Sequence, residues 1–224
     1  MAIGVLIIGK SGSGKSAALR NCTNDDVGVI SVLGKPFPFK SDLKAYVTDD
    51  YDKVTRALIN SKRKSIVIDD SGYLITNMFM KGHSQAGKGN EVFSFYNSVG
   101  DKFWNLIHGL THGWQRDKER IYLSDNKIVY FLMHEEKNDF GDVKPKTIGK
   151  LLDEKVNIEG LFSIVFRASV ENQTHVFHTK TQGFDVAKTP MGMFEEVTID
   201  NDIAMIDKTI REYYNLGVIQ DEKA

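Results

Sequence analysis

Ile3-Gly4-Val5-Leu6-Ile7-Ile8-Gly9-Lys10-Ser11-Gly12-Ser13-Gly14-Lys15-Ser16 is the stretch on which the architecture turns. Its first half is a continuous aliphatic and β-branched run, the pattern of a strand buried on both faces and therefore central in a sheet. Its second half matches G-x-x-x-x-G-K-[ST], the phosphate-binding P-loop pattern, without a deviation. The glycines free the backbone to turn its amides toward anionic oxygens, and Lys15-Ser16-Ala17-Ala18-Leu19-Arg20 has the composition of a helix start behind them. The expected nucleotide-binding set is Gly9, Lys10, Ser11, Gly12, Ser13, Gly14, Lys15, Ser16 and Ala17. Lys15 is placed on the β- and γ-phosphates of ATP, and Ser16 on Mg²⁺.

Further along, buried-type strands alternate with helical patterns, as a mostly parallel α/β sheet flanked by helices requires. Val27 to Leu33 is a second apolar run, ended by the prolines of Gly34-Lys35-Pro36-Phe37-Pro38-Phe39. Val54, Leu58 and Ile59 repeat at helical spacing within 49–61. Ser65-Ile66-Val67-Ile68 reads as a third strand ending on Asp69-Asp70, and Ile128 to Met133 as a fourth ending on His134-Glu135-Glu136. Between them, the polar Lys81 to Asn90 stretch reads as a mobile loop, followed by Val92, Tyr96, Val99, Phe103, Leu106 and Leu110 on one helical face. Leu161 to Val170 and Thr174 to Thr181 form an expected C-terminal β-hairpin through Glu171-Asn172-Gln173, and Ile203, Ile206, Ile210 and Tyr214 mark a closing helix. There is no internal repeat and no linker. With 224 residues, one domain spanning 1–224 is the expectation.

A triphosphate site needs a second acid for its metal, at the end of a hydrophobic strand beside the P-loop strand, and Asp69 fits that place. Asp70 either orients the attacking water or caps the following helix through the Asp70-Ser71 turn. Glu135 and Glu136 are rival bases, because ligands sit at the carboxyl ends of strands in parallel sheets. His134 is either a γ-phosphate sensor or a structural residue. Lys188, with Lys180 behind it, is either a surface lysine or a cation delivered across a subunit interface to the developing phosphate charge.

Composition narrows the class. Lys plus Arg total 29 and Asp plus Glu total 30, for a net charge of −1, so nucleic acid must be held by a local patch and not by global charge. No apolar run reaches the length of a membrane span, the start lacks a signal-peptide pattern, and the single Cys22, set in an expected helix, reads as a buried thiol in a reducing cytoplasm. A Ras-like GTPase needs Asn-Lys-x-Asp, but Asn126-Lys127-Ile128-Val129 lacks the Asp. The Leu-Ser-Gly-Gly-Gln signature of transporter ATPases is absent. The arginines, Arg20, Arg56, Arg63, Arg116, Arg120, Arg167 and Arg211, are too scattered in sequence for a small-molecule kinase.

Together, the P-loop, the Gly34 to Phe39 segment, Ile68-Asp69-Asp70-Ser71-Gly72-Tyr73-Leu74, the 146–155 segment Lys-Thr-Ile-Gly-Lys-Leu-Leu-Asp-Glu-Lys, and Ala187-Lys188-Thr189-Pro190-Met191-Gly192-Met193-Phe194-Glu195 resemble phage-encoded AAA/RecA-core ATP-binding proteins. That group is similar to the Sak-type, RecA-like ATPases of single-strand annealing. The resemblance implies a RecA-like P-loop NTPase core, a homo-oligomer, Mg²⁺-dependent ATP hydrolysis, and a role in phage DNA recombination or replication in the bacterial host cytoplasm. RecA itself carries a catalytic Glu after an earlier strand, whereas Val27 to Lys40 contains no acid, so Asp70 or Glu135 has to substitute. Two functions follow. One is an ATPase assembling on single-stranded DNA, with the Lys81 to Asn90 and Lys137 to Lys146 loops facing the strand. The other is a nucleotide-gated binding module that recruits replication or recombination proteins with little turnover.

Overall fold

The strongest β-formers of the chain line up side by side in the computed structural model, which describes residues 1–148, 152 and 155–217. In chain order the elements are β1 (Ile3–Gly9), β2 (Val27–Ser31), β3 (Ala45–Val47), α1 (Tyr51–Asn60), β4 (Ser65–Asp69), α2 (Tyr73–Gly82), α3 (Asn90–His112), β5 (Trp114–Arg116), β6 (Glu119–Ile121), β7 (Ile128–Lys137), β8 (Val143–Pro145), β9 (Ile164–Glu171), β10 (Thr174–His178), β11 (Thr198–Asp200) and α4 (Ile203–Tyr213). Among the described residues, nine strands form one mixed sheet in the order β11-β10-β9-β1-β7-β4-β2-β3, with β8 attached to the end of β7. The run from β9 to β3 is parallel. The molecule is therefore an α/β protein with a mostly parallel sheet flanked by helices, compatible with a Rossmann-like fold.

Both faces of the sheet are covered, which is why its central strands read as unbroken apolar runs. Leu6, Ile8, Ile66, Ile68, Phe131 and Met133 pack under α1, α2 and α3. Val5, Ile7, Val67, Tyr130, Leu132 and Phe166 pack on the other side with Ala18, Leu19 and the apolar stripe Ile203, Ile206 and Ile210 of α4. Tyr130 is fully enclosed there, and its hydroxyl is satisfied by Asp207 Oδ1 at 2.9 Å, which Arg211 also engages. Among the described residues no helix is long and apolar enough to cross a membrane.

Four expectations change. The helix behind the P-loop is only a 3₁₀ turn, Ser16–Leu19. Thr23 and Asp26 compete with the helix for the backbone: Thr23 N–H and Oγ1 both donate to Asp26 Oδ2, at 2.9 and 2.7 Å, and the chain turns into β2. Cys22 thus lies beyond a turn and not in a helix, although it is buried as expected. The Lys81 to Asn90 loop is shorter than its composition suggests, because Lys81 and Gly82 finish α2, His83–Gln85 form a 3₁₀ turn and α3 begins at Asn90. Finally, the strand carrying Asp69 does not adjoin the P-loop strand: β7 lies between β1 and β4. The hairpin and the closing helix stand where the sequence puts them, the hairpin turning through Asn172 and Gln173 at φ 48° and 66°. Of the 146–155 segment, residues 149–151, 153 and 154 lie outside the described residues.

Candidate functional site

At the carboxyl ends of β1, β7 and β4 the chain gathers the residues that the sequence singles out. Gly9, the last residue of β1, is level with His134 on β7 and with Ala168 on β9. A Cβ at Gly9 would sit 2.7 Å from the Ala168 carbonyl, and Gly14 (φ +96°) lies under the His175 ring, whose Cγ a Cβ would meet at 2.7 Å. The loop glycines are thus required by close approach and by left-handed backbone. Ser11 and Gly12 face solvent, Ala17 is half-buried in the 3₁₀ turn, and among the described residues the buried Ser13 Oγ has no hydrogen-bond partner.

Lys15 is folded into this loop. Its ammonium donates to the Gly9 and Lys10 carbonyls, both at 2.8 Å. Burial lowers its pKa to about 8 against the opposing pull of Asp70, Asp69 and Glu135. Ser16 Oγ donates to Asp69 Oδ1 at 2.8 Å, so the hydroxyl and the carboxylate meet although β7 separates their strands. Burial raises the Asp69 pKa, partly offset by the Ser16 hydrogen bond.

Asp70 adopts left-handed backbone, φ 57°, while the next residue is pinned by Ser71 N–H donating to the Leu132 carbonyl at 2.8 Å. The carboxylate of Asp70 meets Lys35 Nζ at 2.7 Å and lies 3.6 Å from His134 Nε2. Burial works to raise its pKa, but the hydrogen bonds from His134 and Lys35 outweigh it and hold Asp70 below the usual range. The helix-cap alternative for Asp70 fails, since α2 is capped at Gly72 without any side-chain bond. His134 also packs edge-on against the Tyr73 ring at 5.8 Å.

Glu135 is enclosed and gripped by Arg167, with Nε to Oε2 at 2.9 Å and Nη2 to Oε1 at 3.3 Å, and Glu136 pairs with Lys144 at 3.3 Å. A carboxylate in a bidentate pair is not free to take a proton from water, so the rival-base reading of Glu135 and Glu136 is weakened by their partners. Lys188 does not join the site. It is exposed, and its backbone bridges Val165 in both directions, at 2.8 and 2.9 Å. Val165 lies three residues before the level of the P-loop on β9, a distance of about 10 Å along a strand. Lys180 is likewise turned away, onto the Glu195 carbonyl at 3.0 Å.

Lys35, Arg167 and His175 join the site without being singled out by any motif in the sequence. A cleft of about 510 Å³ beside the loop is lined by Lys10, Lys35, Tyr73, His134, Glu135 and Lys146, so cations from the same chain already face it. Lys35 was findable from its place just past β2, at the same carboxyl edge as Asp69. Arg167 was not, because a charge pair between β7 and β9 leaves no mark in spacing. Among the described residues no group of three or more His, Cys, Asp or Glu gathers as a metal site. No protein-family model matches the chain, and no curated protein matches it at a significant level.

Proposed function

We propose that this chain is a Mg²⁺-dependent ATP-binding protein with a RecA-like P-loop NTPase core. In this reading it is related to the phage-encoded Sak-type proteins and acts as a homo-oligomer on single-stranded DNA in recombination or replication, in the host cytoplasm. One observation carries the reading: Ser16 Oγ lies 2.8 Å from Asp69 Oδ1, next to a buried Lys15 whose ammonium donates to two loop carbonyls. A hydroxyl and a carboxylate are the hard oxygen donors that Mg²⁺ takes alongside phosphate and water. The orphaned Ser13 Oγ and the positive-φ glycines fit a cradle for phosphate oxygens.

In the proposed mechanism Ser16 and Asp69 are the residues that would hold Mg²⁺, and the ion would supply charge neutralisation for the phosphates. Lys15 leaves the Gly9 and Lys10 carbonyls for the triphosphate and keeps its proton there. Asp70, although engaged by Lys35, takes the role of accepting the proton of an attacking water, and His134, in contact with it, carries the state of the γ-phosphate into β7. A second cation for the developing charge comes from Lys35 of the same chain or from Lys188 of a neighbouring subunit.

The alternative, a nucleotide-gated module that recruits other replication or recombination proteins, is favoured by a specific feature. Asp70 is engaged by Lys35 and Glu135 by Arg167, so both acids expected to act as the base are paired. ATP turnover measured with and without an oligonucleotide separates the two. DNA stimulation that Asp70→Asn abolishes is the expected result, and slow turnover indifferent to both DNA and Asp70→Asn supports the recruiting module.

A further inference from the structure

The last turns of α3 carry a ladder of rings. Trp104, His108 and His112 stand four residues apart and so share one helix face. Trp104 and His108 stack at 4.2 Å and 18°, and His108 and His112 at 3.8 Å and 8°. Burial, followed by the neighbouring His112 and Arg120 charges, lowers the His108 pKa. The β5–β6 ribbon is fixed against the same turns: Trp114 Nε1 donates to the Asn105 carbonyl at 3.2 Å, and its ring occupies the space that a side chain at Gly109 would fill.

Between this ribbon and α1 runs an open groove of about 780 Å³, lined by Arg56, Lys102, Arg116 and Arg120 beside the ladder. Asp52 is the one acid among the lining residues, and Lys102 meets it at 3.8 Å. Among the described residues neither Arg116 nor Arg120 has an ion-pair partner. A chain of net charge −1 thus concentrates cations and stacked rings in one place. The groove runs along α1 and the last turns of α3, and it shares no lining residue with the cleft beside the Gly9–Ser16 loop.

The geometry points to this groove as a binding site for single-stranded DNA: bases add to the outer faces of the Trp104–His108–His112 stack, and Arg116 and Arg120 meet the phosphates. A stack of rings ends in free π-faces, which any unpaired base can extend and a base inside a duplex cannot. The inference rests on the reading above for its class of partner, not for hydrolysis. It moves the strand away from the expected loops, where Lys81 is bound to Asp49 at 2.5 Å and Lys144 to Glu136.

The test is anisotropy of a fluorescein-labelled dT30 in low salt, with labelled ATP titrated into the same samples. Trp104→Ala with His112→Ala should weaken dT30 binding by on the order of tenfold or more, while Trp104→Phe stays close to wild type. Arg116→Ala with Arg120→Ala should lower the log–log salt slope by about 1.4, two single-strand phosphate contacts. ATP affinity should be unchanged in all of them. The site is overturned if the wild type binds ATP but not dT30, if the groove variants bind dT30 as the wild type does, or if a 30-base-pair duplex binds more tightly than dT30. Loss of ATP binding by the wild type itself would instead strike the nucleotide reading. Should Trp104→Ala fail to fold by circular dichroism, the exposed arginine pair carries the test alone.

Discussion

On the proposed mechanism Lys35 offers, within one chain, the cation for which the sequence makes Lys188 of a neighbour a candidate. Its ammonium is 2.7 Å from Asp70 and lines the cleft, whereas Lys188 is anchored beside Val165. We therefore expect Lys35→Ala to lower turnover by on the order of 10²-fold with little change in ATP affinity, and Lys188→Ala to lower it by no more than a few-fold. Steady-state kinetics at saturating ATP read both. If Lys188→Ala is dead, and mixing it with Lys15→Ala restores activity, the trans cation is the right one. Cys22 gives an independent check on packing. Burial, reinforced by Asp202 and Asp26, raises its thiol to about 12. A raised thiol pKa favours the neutral form, so at pH 8 the native protein should resist iodoacetamide and label only when urea unfolds it. Rapid labelling of the native chain would contradict the buried placement.

The β9–β10 turn places Asn172 and Gln173 both in left-handed backbone, φ 48° and 66°. Asn tolerates that region and Gln does not, so Gln173→Gly should stabilise the protein by up to about 1 kcal/mol in urea unfolding. The pair joining β7 to β9 should act in the opposite sense. Arg167→Met leaves the enclosed Glu135 carboxylate without its partner, at a cost of about 3–5 kcal/mol; a loss below 1 kcal/mol would mean that the pair is solvated. Such elements also show what a sequence discloses. The strands β1, β4 and β7 were legible because burial on both faces leaves an unbroken apolar run, and the turn after β1 because only its glycines and Lys15-Ser16 satisfy the phosphate pattern. The insertion of β7 between β1 and β4 was not, since strand order is set by packing across the whole sheet. The helix expected after Lys15 was lost to local Thr23–Asp26 hydrogen bonds, which compete with helix by short-range geometry that composition alone underestimates. His134 and Asp70 were legible as strand-end residues, but their meeting was not.

At one end of its parallel strands the molecule gathers the Gly9–Ser16 loop, Asp69 and Asp70, and along α1 and the last turns of α3 it carries a groove of cations and stacked rings. Its apolar runs are consumed by two cores on opposite faces. The paired acids and the buried lysine at the first end make sense together if a polyanion with its metal displaces them, since Lys15 and the Ser16–Asp69 pair then exchange internal partners for phosphate oxygens and Mg²⁺. Titration calorimetry of ATP into the wild type, Lys15→Ala and Asp69→Asn, each with and without Mg²⁺, tests this directly. The account predicts wild-type binding that tightens strongly with Mg²⁺, loss of that Mg²⁺ dependence in Asp69→Asn, and no measurable binding in a folded Lys15→Ala. ATP binding that is indifferent to Mg²⁺, or that survives Lys15→Ala unchanged, would contradict it.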